Sequence, residues 1–454
     1  RLNLEQAPTT PRNMGVYAAY AASAMMAFML LANHWARDAI GAVEGELRDE
    51  LGVTRDLYVS LVSAYFAPSI FVPVLTGTAA QALGAGSVII PVAVFAMLGH
   101  IVFGTGVSAE QFPAMLAGRI MAGAVYEAMD MLPLPFLAPL VTRHWATVCG
   151  LINGTVRLGS VMSFVVTPAV ATSVSLKASM LLACGVGSSS CVFAVLGIAA
   201  AGQLRVAFGL KRGSREDQDG TQGLELEGSA KLTSADDGDG AELRSARSIA
   251  RWMLSRVANL GRVFGLFSLF GVCVYSAVVP FWFVGGSVLQ NAYGLELEVA
   301  DRLMALPEGC IMLLSTPVGV LCDRFEVSFA RKLQAMGVAA LGLAVSLLNL
   351  ALRLLPPVFN VALLGSSYAI CNVLIWGCFP EACPRGQEGL GSGLLASGMN
   401  CGAAFVPVLL ALVRARAPEE AQLLVLAAFA ALAAATAAVA AASTGAETDR
   451  KTAH

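Results

Sequence analysis

KRGSREDQDG TQGLELEGSA KLTSADDGDG, residues 211–240, is the centre of the one long polar stretch in this chain of 454 residues. The stretch runs from Arg205 to Ala250, is rich in glycine, serine and charge, and holds almost no aromatic side chain. Such a composition cannot bury a core and reads as a disordered linker. Its position matters as much as its content, because it divides the chain into 204, 46 and 204 residues. On either side the sequence is apolar. Overall 57% of residues are hydrophobic and 13% charged, with a mean hydropathy of +0.70, whereas soluble domains carry about 25% charged residues. A water-soluble enzyme and a disordered chain are excluded on that ground, and a net charge of −2 argues against nucleic acid as a partner. What remains is a polytopic membrane protein whose first partner is the lipid bilayer.

A membrane helix needs about 20 mostly apolar residues. That ruler gives six spans before the linker, at 14–33, 57–76, 87–106, 113–139, 148–172 and 178–204. Six more follow it, at 260–284, 301–322, 332–352, 357–379, 389–413 and 419–442. The expected fold is therefore an all-α membrane protein of two six-helix bundles, at 14–204 and 251–442, with tails at 1–13 and 443–454. The first apolar run is too long for a signal-peptide core and is taken as a mature span. With the N-terminus inside, inner segments hold 19 of the 29 basic residues and outer segments 8. The bias places both termini and the linker in the cytoplasm.

A weak repeat relates the two halves. Gly319-Val-Leu-Cys-Asp323-Arg324 falls between spans eight and nine, and Gly77-Thr-Ala-Ala-Gln81-Ala falls at the equivalent place between spans two and three, without the charges. Both are expected as turns between helices. The Gly319, Asp323, Arg324 turn resembles the loop signature of the major facilitator superfamily, where it pins the cytoplasmic gate; its plainer reading is a charged helix end.

Ionisable side chains inside a bilayer are expensive, so each asks for a partner or a function. The spans contain Arg119, Glu127, Asp130, Arg157 and Glu308. Glu127 lies about 14 residues into span four, roughly 21 Å along a helix, and Arg157 about 9 residues, roughly 14 Å, into span five. Both depths are near the middle of a ~30 Å core. Either the two form a structural bridge between helices, or they are opposed charges around a cavity that holds a zwitterion near the midplane, as secondary transporters do. Asp130 shares a face with Glu127, to bind solute or to line a wet vestibule. Arg119 is expected near the outer end, snorkelling. Glu308 follows Pro307 and has no evident partner, which leaves a cavity edge or a protonatable carboxylate. Asn372 and Trp376 at i,i+4, Tyr275 and Asn400 are further pocket candidates, with helix packing as the commoner use of such residues. His34, His100 and His144 lie at or near span ends, and no cysteine or histidine spacing suggests a metal. No motif calls for a cofactor.

These residues together resemble the lysosomal dipeptide transporter branch of the superfamily, that of major facilitator superfamily domain-containing protein 1. Gly118-Arg119-Ile120 followed by Glu127 is similar to its fourth-span motif, and Arg157-Leu-Gly-Ser160 to its fifth. Trp145, Asp38 after span one, Ser367-Tyr368 with Trp376, and Leu390-Gly391 with Asn400 stand at family-like places. Val125-Tyr126 departs from the family's Gly-Gly, and Asp130 and Glu308 are additional acids. The resemblance implies the two-bundle facilitator fold and short peptides as substrates. Glu127 would take the peptide's ammonium group and Arg157 its carboxylate. It further implies a lysosomal or other endomembrane address and raises a glycosylated accessory membrane subunit as a partner.

The expectation is thus an alternating-access transporter of a small zwitterion, a dipeptide first, and not an enzyme. Uniport is expected, since a carboxylate held near an arginine stays ionised and carries protons poorly. Glu308 keeps open a proton-coupled carrier of another organic solute. A non-transporting sensor on the same fold is the alternative from another class. A closed bundle needs no second copy to bury its core, so a monomer is expected.

Overall fold

The structure is a computed structural model that describes residues 11–141, 143–203, 255–418 and 420–452. The linker expected at 205–250 lies outside the described residues. The first half contains α1 (Pro11–Ala42), α2 (Glu44–Leu51), α3 (Arg55–Phe66), a 3-10 turn (Ala67–Ile70), α4 (Val72–Leu83) and α5 (Ala85–Ser108). It continues with α6 (Phe112–Met131), α7 (Pro133–Leu137), α8 (Trp145–Ser173) and α9 (Leu176–Ala200). The second half contains α10 (Gly261–Tyr293), α11 (Leu297–Arg324), α12 (Phe329–Leu352) and α13 (Pro357–Gly377). It ends with α14 (Phe379–Ala382), α15 (Glu388–Arg414) and α16 (Glu420–Thr452).

Eleven of these helices are long and apolar enough to cross a membrane, or 12 if the bent α3–α4 pair counts as one span. Large apolar side chains such as Phe164, Leu313, Val338 and Phe405 are exposed on the outside of the bundles. Water is absent from a bilayer core, so an all-helical chain that pairs its own backbone groups suits that solvent. Successive spans alternate in direction. The starts of α1, α8 and α15 and the ends of α4, α11 and α16 share one surface, called here the linker side.

Three expectations change. The first span is not confined to 14–33: α1 continues through His34, Trp35, Arg37 and Asp38 to Ala42. Asp38 is therefore helical and not part of a loop after span one. Nothing in HWARDAI breaks a helix, so the 20-residue ruler stopped where the helix did not. The expected turn at Gly77–Ala82 is helical, inside α4, and Gly319–Arg324 forms the last turns of α11. The second span is broken instead near its middle, where α3 and α4 bend by 41° across the 3-10 turn. Pro73 causes part of that break: it has no N–H to give to the Ser69 carbonyl four residues earlier. Asn400 Nδ2 of α15 donates to that carbonyl at 3.1 Å.

Within each half the helices approach at glycine. A Cβ at Gly118 of α6 would lie 2.3 Å from the Phe103 nitrogen of α5, and one at Gly159 of α8 would lie 2.4 Å from the Leu31 oxygen of α1. Small residues let membrane helices pack backbone against backbone. The second half buries a single cluster reaching from Leu260 and Phe264 to Ala440 and Ala441. These contacts set a stability prediction. Gly265 has open space around its Cβ position, so Gly265→Ala should keep or raise stability by up to ~1 kcal/mol of helix propensity, read as an unchanged or higher melting temperature in detergent. Gly118→Ala should lower it, with an overpacking cost of roughly 1–3 kcal/mol.

Candidate functional site: an ion pair above two capped crossings

The two halves meet on the linker side at two crossings that mirror each other. α8 starts at Trp145, and His144 before it is left-handed and supplies no side-chain cap. The cap comes from the other half. Asp323 Oδ2 accepts from the Thr147 N–H and the Thr147 hydroxyl, both at 2.6 Å, and Oδ1 accepts from the Ala146 N–H at 3.3 Å. A carboxylate there satisfies orphan amides and faces the positive end of the helix. One helical turn earlier, a Cβ on Gly319 would meet the Ala146 oxygen at 2.2 Å, so the two backbones touch.

In the mirror crossing α15 also has no side-chain cap of its own. Gln81 of α4 accepts from the Gly389 N–H at 3.2 Å and donates to the Gly386 carbonyl. A Cβ on Gly77 would lie 2.4 Å from the Gly389 oxygen. The repeat Gly77-x-x-x-Gln81 and Gly319-x-x-x-Asp323 is thus a pair of reciprocal helix caps. Neutral Gln81 does on one side what charged Asp323 does on the other. Arg324 closes α11 and is not part of either cap.

Above the Asp323 crossing, one face of α8 carries a ladder of contacts to the second half. Trp145 Nε1 donates to the Trp376 carbonyl at 3.2 Å, and Asn372 Nδ2 donates to Asn153 Oδ1 at 3.2 Å. One turn further on, Arg157 Nη1 meets Glu308 of α11 at 3.0 Å. The carboxylate paired with Arg157 is therefore that of Glu308, across the halves, and not that of Glu127. Glu308, expected to lack a partner, has one. The reason is local: Gly365 of α13 packs on the backbone of Pro307, where a Cβ would be 2.5 Å away, and this fixes α11 with residue 308 towards α8. Both side chains keep some exposure, 13% for Arg157 and 25% for Glu308.

Aromatic rings wall this pair. Arg157 lies over Trp282 at 5.9 Å, Trp282 stacks edge-on against Tyr368 at 5.5 Å, and Tyr368 meets Tyr275 at 6.3 Å. Glu127 is half-buried on α6, where the Asn400 side chain faces it. Asp130 belongs to a different group: its Oδ2 lies 2.9 Å from His34 Nε2. Asn372 and Trp376 sit lower on the α8 ladder, as part of the closed linker-side seam.

Several residues at the site escaped sequence reading. Arg37 forms a fork with Asp38, with Nη2 at 2.7 Å from Oδ2, and donates through Nη1 to the Tyr126 hydroxyl. Its Nη2 also points at Ser160 Oγ, 3.4 Å away. His34 was placed at a span end and is instead buried inside the protein. Each was missed for one reason, the early end assigned to the first span. Arg119 is also corrected: it does not snorkel but is 4% exposed, with its guanidinium 4.0 Å over the Tyr65 ring. Among the described residues no cluster of metal-ligating side chains occurs.

The sequence matches the model of the Major Facilitator Superfamily over residues 18–407. The chain belongs to the major facilitator superfamily. No curated protein sequence matches this chain. Among solved structures, the Escherichia coli fucose:proton symporter FucP is 14% identical with a TM-score of 0.66, covering 93% of this chain and 99% of its own. The human organic anion transporter MFSD10 (TETRAN) is 16% identical at a TM-score of 0.66, covering 92% and 99%. The proton:xylose symporter XylE is 13% identical at 0.65, covering 92% and 94%. At such identities these proteins share the facilitator fold with this chain. Which solute is carried is a matter for the site's own chemistry.

The reciprocal caps generate a prediction. Asp323→Ala in this facilitator should remove about 0.5–2 kcal/mol of capping from the α8 N-terminus. Hydrogen–deuterium exchange at Ala146 and Thr147 should then accelerate by roughly two- to thirtyfold, with Asp323→Asn in between. Unchanged exchange would mean that α8 is closed by other contacts.

Proposed function

We propose that this facilitator carries a small zwitterionic solute, a dipeptide before other classes, by alternating access across an endomembrane. The observation that carries the reading is the Arg157–Glu308 ion pair, which joins the two halves at mid-depth and is still partly exposed. A zwitterion brings its own carboxylate and ammonium groups and can replace each partner with the opposite charge. Arg157 then takes the carboxylate and Glu308 the ammonium group, with Glu127 and Asn400 nearby on the opposing wall. The exchange leaves no buried charge unpaired, which matters because stripping one partner from a buried pair is strongly unfavourable. Trp282 and Tyr275, both partly exposed, offer apolar surface for side chains of varied shape, with buried Tyr368 behind them. This moves the ammonium site from Glu127, as the resemblance implied, to Glu308.

The argument for uniport rested on Glu127 being held by Arg157, and that premise falls with the observed pairing. The excess of basic residues supports a cytoplasmic linker side, and the resemblance supports a lysosomal address and an accessory subunit as partner.

The test is flux of a labelled dipeptide in proteoliposomes. Wild type should show saturable exchange. Arg157→Ala and Glu308→Gln should each raise the half-saturating concentration roughly ten- to hundredfold, the value of one lost charged hydrogen bond. Folded wild-type protein that moves no dipeptide would remove the peptide assignment. A solute that is purely anionic should then depend on Arg157 and be indifferent to Glu308→Gln.

A further inference from the structure

Arg37, Arg157 and Lys332, all largely buried, each keep a carboxylate beside them: Asp38, Glu308 and Glu381. Arg119 of α6 does not. It is 4% exposed, and among the described residues no carboxylate is in ion-pair contact with it. Asp38 acts on it from a distance, but both Asp38 oxygens are taken by the Arg37 fork. Glu127 and Asp130 lie eight and eleven residues further along the same helix, roughly 12 and 16 Å away, and Asp130 faces His34.

What the guanidinium meets is neutral. Nε and Nη1 point at the carbonyls of Leu61 in α3 and Arg37 in α1, each 3.5 Å away, which is beyond the ordinary range of a hydrogen bond. Among the described residues Nη2 has no acceptor. The guanidinium lies 4.0 Å over the Tyr65 ring and 5.9 Å over that of Phe103. On that same Tyr65 ring the hydroxyl is buried without a partner. An arginine does not shed its proton to escape burial, and ring faces offset only part of the cost of enclosing its charge. One negative charge, and an acceptor for Nη2 and the Tyr65 O–H, are thus wanting in one place.

We infer that Arg119 and Tyr65 hold a small monovalent anion, a halide of chloride size, as a resident ion between α6 and α3. The surroundings set its class. Leu61 and Phe103, which flank the guanidinium, and Met115, one turn before it, belong to one buried apolar cluster. Taking a divalent or strongly hydrated anion out of water into such a place costs more than taking a halide. Arg119 is seven residues from the start of α6, roughly 10 Å along the helix, so the ion enters from the surface opposite the linker side. It ties α3, the piece of the bent second span on that side, to α6. The inference does not depend on which solute is carried.

The test is a titration of chloride into purified protein in detergent, at constant ionic strength with gluconate as the replaced anion. Melting temperature is the readout, because an ion bound only by the folded protein raises it with concentration. Wild type should rise with chloride, and bromide should substitute for it. Arg119→Met removes the charge and should melt at the same temperature in chloride and in gluconate. Tyr65→Phe keeps the arginine and should raise the half-saturating chloride concentration roughly two- to tenfold, the value of one neutral hydrogen bond. A wild type that melts alike in chloride and gluconate overturns the inference, since water then serves the two donors. So does an Arg119→Met protein that keeps the whole chloride effect, which is then an effect of salt on the protein at large. Should Arg119→Met fail to fold, Tyr65→Phe decides, and a chloride titration coincident with that of wild type overturns the inference.

Discussion

The structure depends on two helix N-termini that cannot cap themselves. α8 and α15 begin at the seam between the halves, and neither receives a side-chain cap from its own flank. The first amides of a helix have no partner inside it and need an acceptor from elsewhere. Each half therefore supplies the other's cap, Asp323 to α8 and Gln81 to α15, and glycine beside each cap lets the backbones touch. The halves are held shut on the linker side by the same groups that complete their helices. The two seams are not equal, since hydrogen bonds to an ionised acceptor are about twice as strong as neutral ones. The α8–α11 seam is accordingly the firmer one, and it is the one that carries Arg157 and Glu308.

Polar groups at the break in the second span obey the same rule. Pro73 frees the Ser69 carbonyl, and Asn400 from the opposite half takes it up. A residue that looked like a pocket candidate in the sequence thus has a structural task and also faces Glu127. Such double use is natural where the halves must separate, because a group released from the seam becomes available to the cavity.

The bundle architecture was legible because its signals are long: 20-residue apolar runs and one polar stretch between equal halves. The Gly-x-x-x-Asp/Gln repeat was legible as a repeat but not as a cap, because capping across helices needs the fold to bring residues 81 and 389, or 323 and 147, together. The site was half visible. Arg157, Glu308, Glu127 and Asp130 announced themselves as charges in apolar runs, but which acid met Arg157 depended on the packing of Gly365 against Pro307. Arg37 and His34 were hidden by a span-length ruler, although HWARDAI carries no helix breaker. Helices in contact with protein on several sides outlast the bilayer thickness, and the α1 extension is where that excess places its charges.

The Arg157–Glu308 pair and the Asp323 cap lie on the same two helices, about three turns apart on α8 and about four on α11. Solute that splits the pair removes one of the attractions holding that seam, while the cap and the glycine contacts remain. Opening the linker side then requires only that the rest of the seam be weak enough to follow. Between Thr147 and Arg157 α8 carries no proline at which to kink, so loss of the pair is felt at the cap as a change in the tilt of α8 relative to α11. A second cation, Arg37 of α1, reaches the same helix α8 at Ser160. On the proposed reading, the position of the ion pair, on the helix whose end is capped from the other half, lets one small solute bias the closure of the whole protein.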